Sequence, residues 1–348
     1  MTEARHSYLV TGATGFLGRH ILEALRKAEP DCSILVLARD APSWEKQSWR
    51  REVGDAEVLT GPLFPTDSWD SDPRLSGLSG IFHLAGDVKH TRSPSDAVTM
   101  FRTNVEGTLA MVRLAAEQQC RLLFVSTSGT VGCSPKPGAG PDEDAPYCEV
   151  VVRDWPYYLS KIRAEQAARK LAGDLGVALV IFRPPVLLGP KDHRFRSTSN
   201  VLRLLQDRLP FIFTGSLHFV DVRDAAVAMV RAMQRENPRP IYHLTGTVCT
   251  LDDFFRMVAS EAKMKPAWRV LPARLLWYVA KSAKLLGLKT HALPDPVVIE
   301  MGAHHWELSS RYAESDLGYQ SRPAEKTIAD TVAWLRLNHP YLLAPGPS

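Results

Sequence analysis

Cysteine is sparse and scattered in this sequence: Cys32, Cys120, Cys133, Cys148 and Cys249 are odd in number and form no C-x-x-C pair. That spacing supplies neither a disulfide framework nor a metal site, so the expectation is buried free thiols in a reducing compartment and no bound metal. Long apolar runs are missing as well, none reaching the roughly 18 residues of a membrane-spanning helix. Residues 1–7 are polar and lead straight into a strand pattern, leaving no room for a signal peptide. A soluble, cytoplasmic protein is therefore expected. Excess charge is absent too: 42 basic against 38 acidic side chains leave a formal +4, too mild for a nucleic-acid partner although suited to a phosphorylated ligand. With 45% hydrophobic and 23% charged residues and no internal repeat or low-complexity block, disordered and fibrous classes are excluded.

What is present begins with the short apolar strand Tyr8-Leu9-Val10 and the turn Thr11-Gly12-Ala13-Thr14-Gly15-Phe16-Leu17-Gly18. Beyond it Leu17, Ile21, Leu22 and Leu25 recur at helical spacing, so the glycines occupy a strand-to-helix turn. Gly12 permits the tight turn, Gly15 lets amides approach a pyrophosphate and Gly18 allows close helix–strand packing. The helix N-terminus adds unpaired N–H groups and partial positive charge, the ingredients of a dinucleotide site. A second strand, Ser33–Leu37, ends in Ala38-Arg39-Asp40. The position that would be acidic for NAD falls on Ala38, and Arg39 could hold a 2′-phosphate, so NADP is preferred; Asp40 leaves NAD open.

Further strands read at residues 80–86, 122–125 and 177–182. His83 lies within an apolar strand and reads as a packed histidine. Asn104–Thr108 opens a helix, and Ser126-Thr127-Ser128 closes a strand where ligands of open α/β sheets bind. Tyr157 and Lys161, four residues apart, share a helix face. A nearby ammonium would lower the phenol pKa from about 10 toward the range useful for general acid–base catalysis.

Taken in order, Gly12/Gly15/Gly18, His83-Leu84-Ala85-Gly86, Asn104-Val105-Glu106-Gly107-Thr108, Val125-Ser126-Thr127-Ser128, Tyr157-x-x-x-Lys161 and residues 183–190 resemble the extended short-chain dehydrogenase/reductases. This is the NAD-dependent epimerase/dehydratase family, and its dihydroflavonol-reductase-like and 3β-hydroxysteroid-dehydrogenase-like branches are the most similar. The resemblance spans roughly residues 7–335. It implies an α/β fold: a Rossmann-type, doubly wound parallel sheet with a smaller C-terminal substrate-binding lobe. Residues 1–185, with contributions from about 213–246, would form the core, 186–212 and 247–340 the lobe, and 341–348 a disordered tail.

The resemblance makes Tyr157 the general acid or base and Lys161 its tuner and a ligand of the nicotinamide ribose. Ser128 would bond the substrate oxygen, with Thr127 as fallback, and Asn104 would anchor the site through backbone or water contacts. Gly12, Thr14, Gly15, Phe16, Leu17, Gly18, Arg39, Leu63, Leu84, Ala85, Gly86, Pro184 and Val186 would line the cofactor together with Tyr157 and Lys161. The implied function is NAD(P)-dependent hydride transfer between the nicotinamide and a carbonyl or alcohol on a largely apolar, lipid-like small molecule. One alternative is a nucleotide-sugar epimerase or dehydratase holding NAD tightly, although the tyrosine such enzymes carry after Val131 is absent; another is a non-catalytic cofactor sensor. The family also suggests a homodimer.

Outside those motifs, residues 134–156 read as a mobile loop over the site, with Asp142-Glu143-Asp144 on a solvated face. Lys191, His193, Arg194 and Arg196 read as a solvated loop or a cationic rim for an acidic substrate. Asp221 and Asp224 read as caps or ion-pair partners. A basic amphipathic helix at 272–288 covers a pocket or touches a membrane surface.

Overall fold

Short apolar strands alternate with helices from residue 7 onward, and a computed structural model describes residues 5–138, 140–288 and 293–343. Seven strands form one parallel sheet: β1 (Ser7–Thr11), β2 (Ser33–Ala38), β3 (Glu57–Thr60), β4 (Gly80–His83), β5 (Arg121–Val125), β6 (Leu179–Arg183) and β7 (Ile241–His243). Their order is β7-β6-β5-β4-β1-β2-β3, with every pairing parallel. Most read as near-continuous Val, Ile, Leu and Phe because both faces of the sheet are covered. Tyr8 and Val10 pack toward α1 (Phe16–Ala28), while Leu9 faces the opposite layer of α2 (Gly107–Glu117) and α3 (Pro156–Leu175). α4 (Val222–Gln234) lies beside α1. The chain runs outward from β1 to β2 and β3, then returns to β4 on the other side. That reversal opens a crevice at the carboxyl ends of β1 and β4, the ligand position of doubly wound sheets.

The later chain builds a smaller layer. Val186–Leu188 runs parallel to Ser216–Asp221, which pairs antiparallel with Thr247–Thr250. Helices Leu251–Glu261 and Ala324–Asn338 close a separate cluster around Phe219, Phe254 and Val258. Asp221 caps α4 through the Arg223 amide at 2.9 Å and Asp224 accepts from the Arg322 amide at 2.8 Å, the structural roles expected of both.

Several expectations need correction. Asn104 opens no helix; it sits in a wide π turn, Arg102–Glu106, continuing the helix Pro94–Phe101. Segment 134–156 is tied down: Cys133–Ser134 pairs with His305–Trp306, and the Cys148 amide donates to the Thr130 carbonyl at 2.9 Å. Glu143 is buried instead of solvated, accepting from the amides of His243 (3.3 Å) and Tyr312 (3.2 Å). Residues 340–342 form a 3-10 turn that accepts a bond from Gln206 at Leu342 (2.8 Å), so the chain is still docked where the tail was expected; 344–348 lie outside the described residues. The helix expected at 272–288 spans Ala273–Leu285, burying Ala273, Leu276 and Ala280 and exposing Leu275, Tyr278 and Val279. Among the described residues no helix is long and apolar enough to cross a membrane.

Candidate active site

The turn after β1 is shaped by backbone proximity. Gly12 adopts φ +73°, and a Cβ there would lie 2.7 Å from the Ala85 nitrogen. At Gly18 a Cβ would reach Ala13 Cα at 2.6 Å, so only glycine lets α1 start this close to the strand. The Gly15 amide donates back to the Gly12 carbonyl at 2.9 Å and α1 begins at Phe16, leaving its first amides at the crevice. Leu84, Ala85 and Gly86 form the opposite wall. A buried Ser126 hydroxyl without a protein partner completes the floor at the end of β5. Such a cradle suits a dinucleotide: narrow, lined by backbone and headed by a helix N-terminus.

From that cradle a chain of buried hydrogen bonds leads to α3. Thr11 Oγ1 accepts from the Ala85 amide (3.2 Å) and meets His83 Nδ1 at 2.9 Å, while His83 Nε2 meets Thr108 Oγ1 at 3.1 Å. Thr108 donates to the Asn104 carbonyl (2.6 Å), which makes it an acceptor for His83 and fixes the tautomer with the proton on Nε2. Burial holds the His83 pKa down to about 3, so the ring is neutral and structural, as its apolar strand implies. Asn104 Nδ2 then donates to Ser160 Oγ (2.9 Å) and to the Asp87 carbonyl, its Oδ1 accepts from the Asp87 amide, and Ser160 donates to the Tyr157 carbonyl (2.7 Å). The anchoring expected of Asn104 is thus direct, through its side chain.

Asn104, Lys161 and the end of β5 meet beside Gly86. A Cβ on Gly86 would fall 3.1 Å from Asn104 Oδ1 and 3.4 Å from Lys161 Nζ. Lys161 is buried; its ammonium donates to the Val125 carbonyl at 2.9 Å and lies 4.8 Å from the centre of the Phe124 ring. Burial lowers its pKa to about 8. The Tyr157 phenol departs from expectation: burial raises its pKa to about 12, and the neighbouring Thr127 side chain offsets this only in part. Desolvation of the anionic form outweighs any pull from the neighbouring lysine. Ser128 is fixed by its backbone, its amide donating to the Pro184 carbonyl (2.8 Å) and its own carbonyl accepting from Gly132 (2.7 Å), which leaves its side chain without a scaffolding duty.

The remaining predicted positions spread around the crevice. Phe16 and Leu17 open α1, and Leu17 is buried. Pro184 is buried behind Ser128, whereas Val186 is 45% exposed and begins the smaller layer. Leu63 packs against α2, a Cβ on Gly107 falling 3.0 Å from its own Cβ. Arg39 is exposed just past β2, and Asp40 is engaged elsewhere, its carboxylate accepting from the Ser43 amide at 2.7 Å to cap a short helix. Two more side chains reach the crevice, His90, which no sequence pattern singles out, and Arg194, which reads from sequence as part of a solvated loop or cationic rim. His90 lies edge-on to Tyr157 with centroids 6.1 Å apart, brought there by a loop that carries no periodic signal. Arg194 reaches Thr14 across 180 residues of sequence.

The sequence profile of the NAD dependent epimerase/dehydratase family matches residues 8–244. Tetraketide alpha-pyrone reductase 1 of Arabidopsis thaliana is 26% identical, covering 85% of this chain and 94% of that protein. Cinnamoyl-CoA reductase 1 of Oryza sativa subsp. japonica is 29% identical over 74% of this chain and 76% of its own. Among solved structures, that of gox2253 superposes with a TM-score of 0.79 at 29% identity, covering 96% of this chain and 99% of the other.

Proposed function

Because the chain belongs to the NAD-dependent epimerase/dehydratase family, we propose that it is a reductase of carbonyl compounds, preferring NADP(H) and acting on a largely apolar small molecule. Similarity to two reductases supports this over the epimerase reading. The observation that carries it is the burial of Tyr157 and Lys161 one helical turn apart, with Lys161 set against Gly86 and the end of β5 at the crevice where the sheet order reverses. Arg39 free at the end of β2, with Asp40 occupied in a cap, supports NADP.

Bound in this cradle, the nicotinamide would supply the hydride. Gly12, Gly15, Gly18 and the first amides of α1 would hold the diphosphate, and Lys161 the ribose next to the ring. The raised pKa of Tyr157 keeps the phenol protonated at neutral pH, the form needed to deliver a proton to an alkoxide developing on the substrate. Thr127 lies next to the phenol, and Ser128 presents its hydroxyl to the substrate oxygen. His90, Tyr158 and Trp306 form an aromatic wall next to Tyr157, which favours planar or apolar substrates.

The test is NADPH oxidation followed with a panel of aromatic and aliphatic ketones and aldehydes, with Tyr157→Phe alongside. Turnover of at least one carbonyl, lost by about 10²–10⁴-fold in the variant, is the expected result. Purification with NAD that does not exchange, and no net NADPH consumption, would overturn it in favour of an epimerase or dehydratase.

A further inference from the structure

Arg194 enters the dinucleotide crevice from outside the sheet. It lies in the loop after Val186–Leu188, and its Nη2 donates to Thr14 Oγ1 at 3.0 Å. Thr14 belongs to the turn that follows β1. Arg39 follows β2, the strand paired directly beside it, with Thr11 opposite Leu37. The two arginines therefore approach one corner of the crevice from different parts of the chain. Burial, then the like charges of Arg196 and Arg39, hold the Arg194 guanidinium below its ordinary pKa, which places both neighbours within electrostatic reach.

The loop is held so that this contact persists. His20 Nε2 bonds the Pro190 carbonyl at 3.1 Å, Lys191 Nζ reaches Glu23 at 2.8 Å, and Asp192 accepts from the amides of Ser197 and Thr198 at 2.9 and 3.0 Å. Lys191 thus has acidic partners on and beside α1, in Glu23 and Glu52. Among the described residues no carboxylate comes within 4.0 Å of the side-chain nitrogens of Arg39, Arg194 or Arg196. Like charges gathered at a corner, offset only in part by Asp192, cost free energy unless an anion sits between them. The anion that fits must be compact and carry several acceptor oxygens, because two guanidiniums and a threonine hydroxyl converge on it.

We infer that Arg194 and Arg39 form a two-sided clamp for the 2′-phosphate of NADP, Arg39 supplied by the sheet and Arg194 by the loop at 190–198. The basic character of that loop serves the cofactor corner and not an acidic substrate. This rests on the dinucleotide reading of the crevice and extends it to a residue that no glycine-turn or strand-end pattern identifies.

Isothermal titration of the full-length protein with adenosine 2′,5′-bisphosphate and with 5′-AMP tests the clamp without turnover. The wild type should bind the bisphosphate more tightly than AMP. Arg194→Gln should weaken the bisphosphate by about 10–100-fold and leave AMP unchanged, Arg39→Gln should do the same, and Arg194→Lys should recover part of the loss. Equal weakening of both nucleotides in Arg194→Gln would show that the residue only braces the turn, and no weakening of either would make it a bystander; both overturn the clamp. A wild type that binds the two nucleotides equally overturns the 2′-phosphate assignment while leaving a dinucleotide site standing. Failure to bind either nucleotide or NADPH removes the dinucleotide reading and the clamp together.

Discussion

Arg183 and Glu165 meet wholly buried, Nη2 lying 2.5 Å from Oε2 and Nε 3.1 Å from both carboxylate oxygens. Glu165 stands one helical turn beyond Lys161 on α3, and Arg183 ends β6, so the pair pins α3 to the sheet. Arg183 also contacts His243 Nε2 at 3.2 Å, extending the tie to β7. Removing one partner strands the other charge in the interior. Glu165→Gln should therefore cost about 3–5 kcal/mol, while Glu165→Leu combined with Arg183→Met should recover much of it. Chemical denaturation of the three proteins decides the matter; equal stability of Glu165→Gln and wild type would show that the pair does not brace the helix.

Thr127 and Ser128 are adjacent hydroxyls with different tasks. Thr127 lies beside the Tyr157 phenol, whereas the Ser128 backbone is anchored to Pro184 and Gly132 and, under the proposed function, its side chain meets the substrate. Thr127→Val should disturb the phenol, lowering kcat by roughly tenfold with KM little changed and leaving the alkaline limb of the pH profile in place. Ser128→Ala should lower kcat/KM by a larger factor, on the order of 10²-fold, without moving that limb. The reverse pattern in steady-state kinetics would exchange the two roles.

Lys161 gives the proposed reaction a pH signature. Burial sets its pKa to about 8, so the ammonium is present below that pH and lost above it. Carbonyl reduction should be flat through neutrality and fall about tenfold per unit above pH 8. Lys161→Arg, which keeps its charge to far higher pH, should abolish that limb even where its overall rate is low. A limb near pH 8 that survives in Lys161→Arg would have to come from another group.

Local patterns carried most of the fold. The glycine turn, the parallel strands and the Tyr157/Lys161 spacing are encoded within a few residues of one another, and the pattern alone places them. His83 was legible for the same reason, since a histidine inside an apolar strand has few places to go. Long-range partners were not legible. Glu143 looks like part of an acidic loop until His243 and Tyr312 arrive from 100 and 169 positions away. Arg194 looks like a solvated cation until the loop folds back on Thr14. The Tyr157 pKa failed on sign because spacing shows which charge is near but not how much water the fold removes, and here desolvation is the larger effect.

Desolvation also makes stability depend on pH through four histidines remote from one another in sequence. Burial lowers His20 and His218 to about 4, and His83 and His243 to about 3. In the unfolded chain each takes up a proton near pH 6.5, so below that value the unfolded state binds more protons and acid favours unfolding. The stability at stake is fully present above about pH 6.5 and drains away as pH falls toward 4 and 3, at about 1.4 kcal/mol per pH unit for each histidine. Most carboxylates titrate lower, so histidines dominate between about pH 6 and 5. His218 is the residue to replace, because its Nε2 accepts from the Gly246 amide at 3.2 Å and a glutamine oxygen can take over that bond without titrating. Urea unfolding of wild type between pH 7.5 and 5 should show a steep loss, and His218→Gln should make the slope measurably shallower. An unaltered slope would mean that His218 is protonated in the folded protein and that its burial does not set the acid limit.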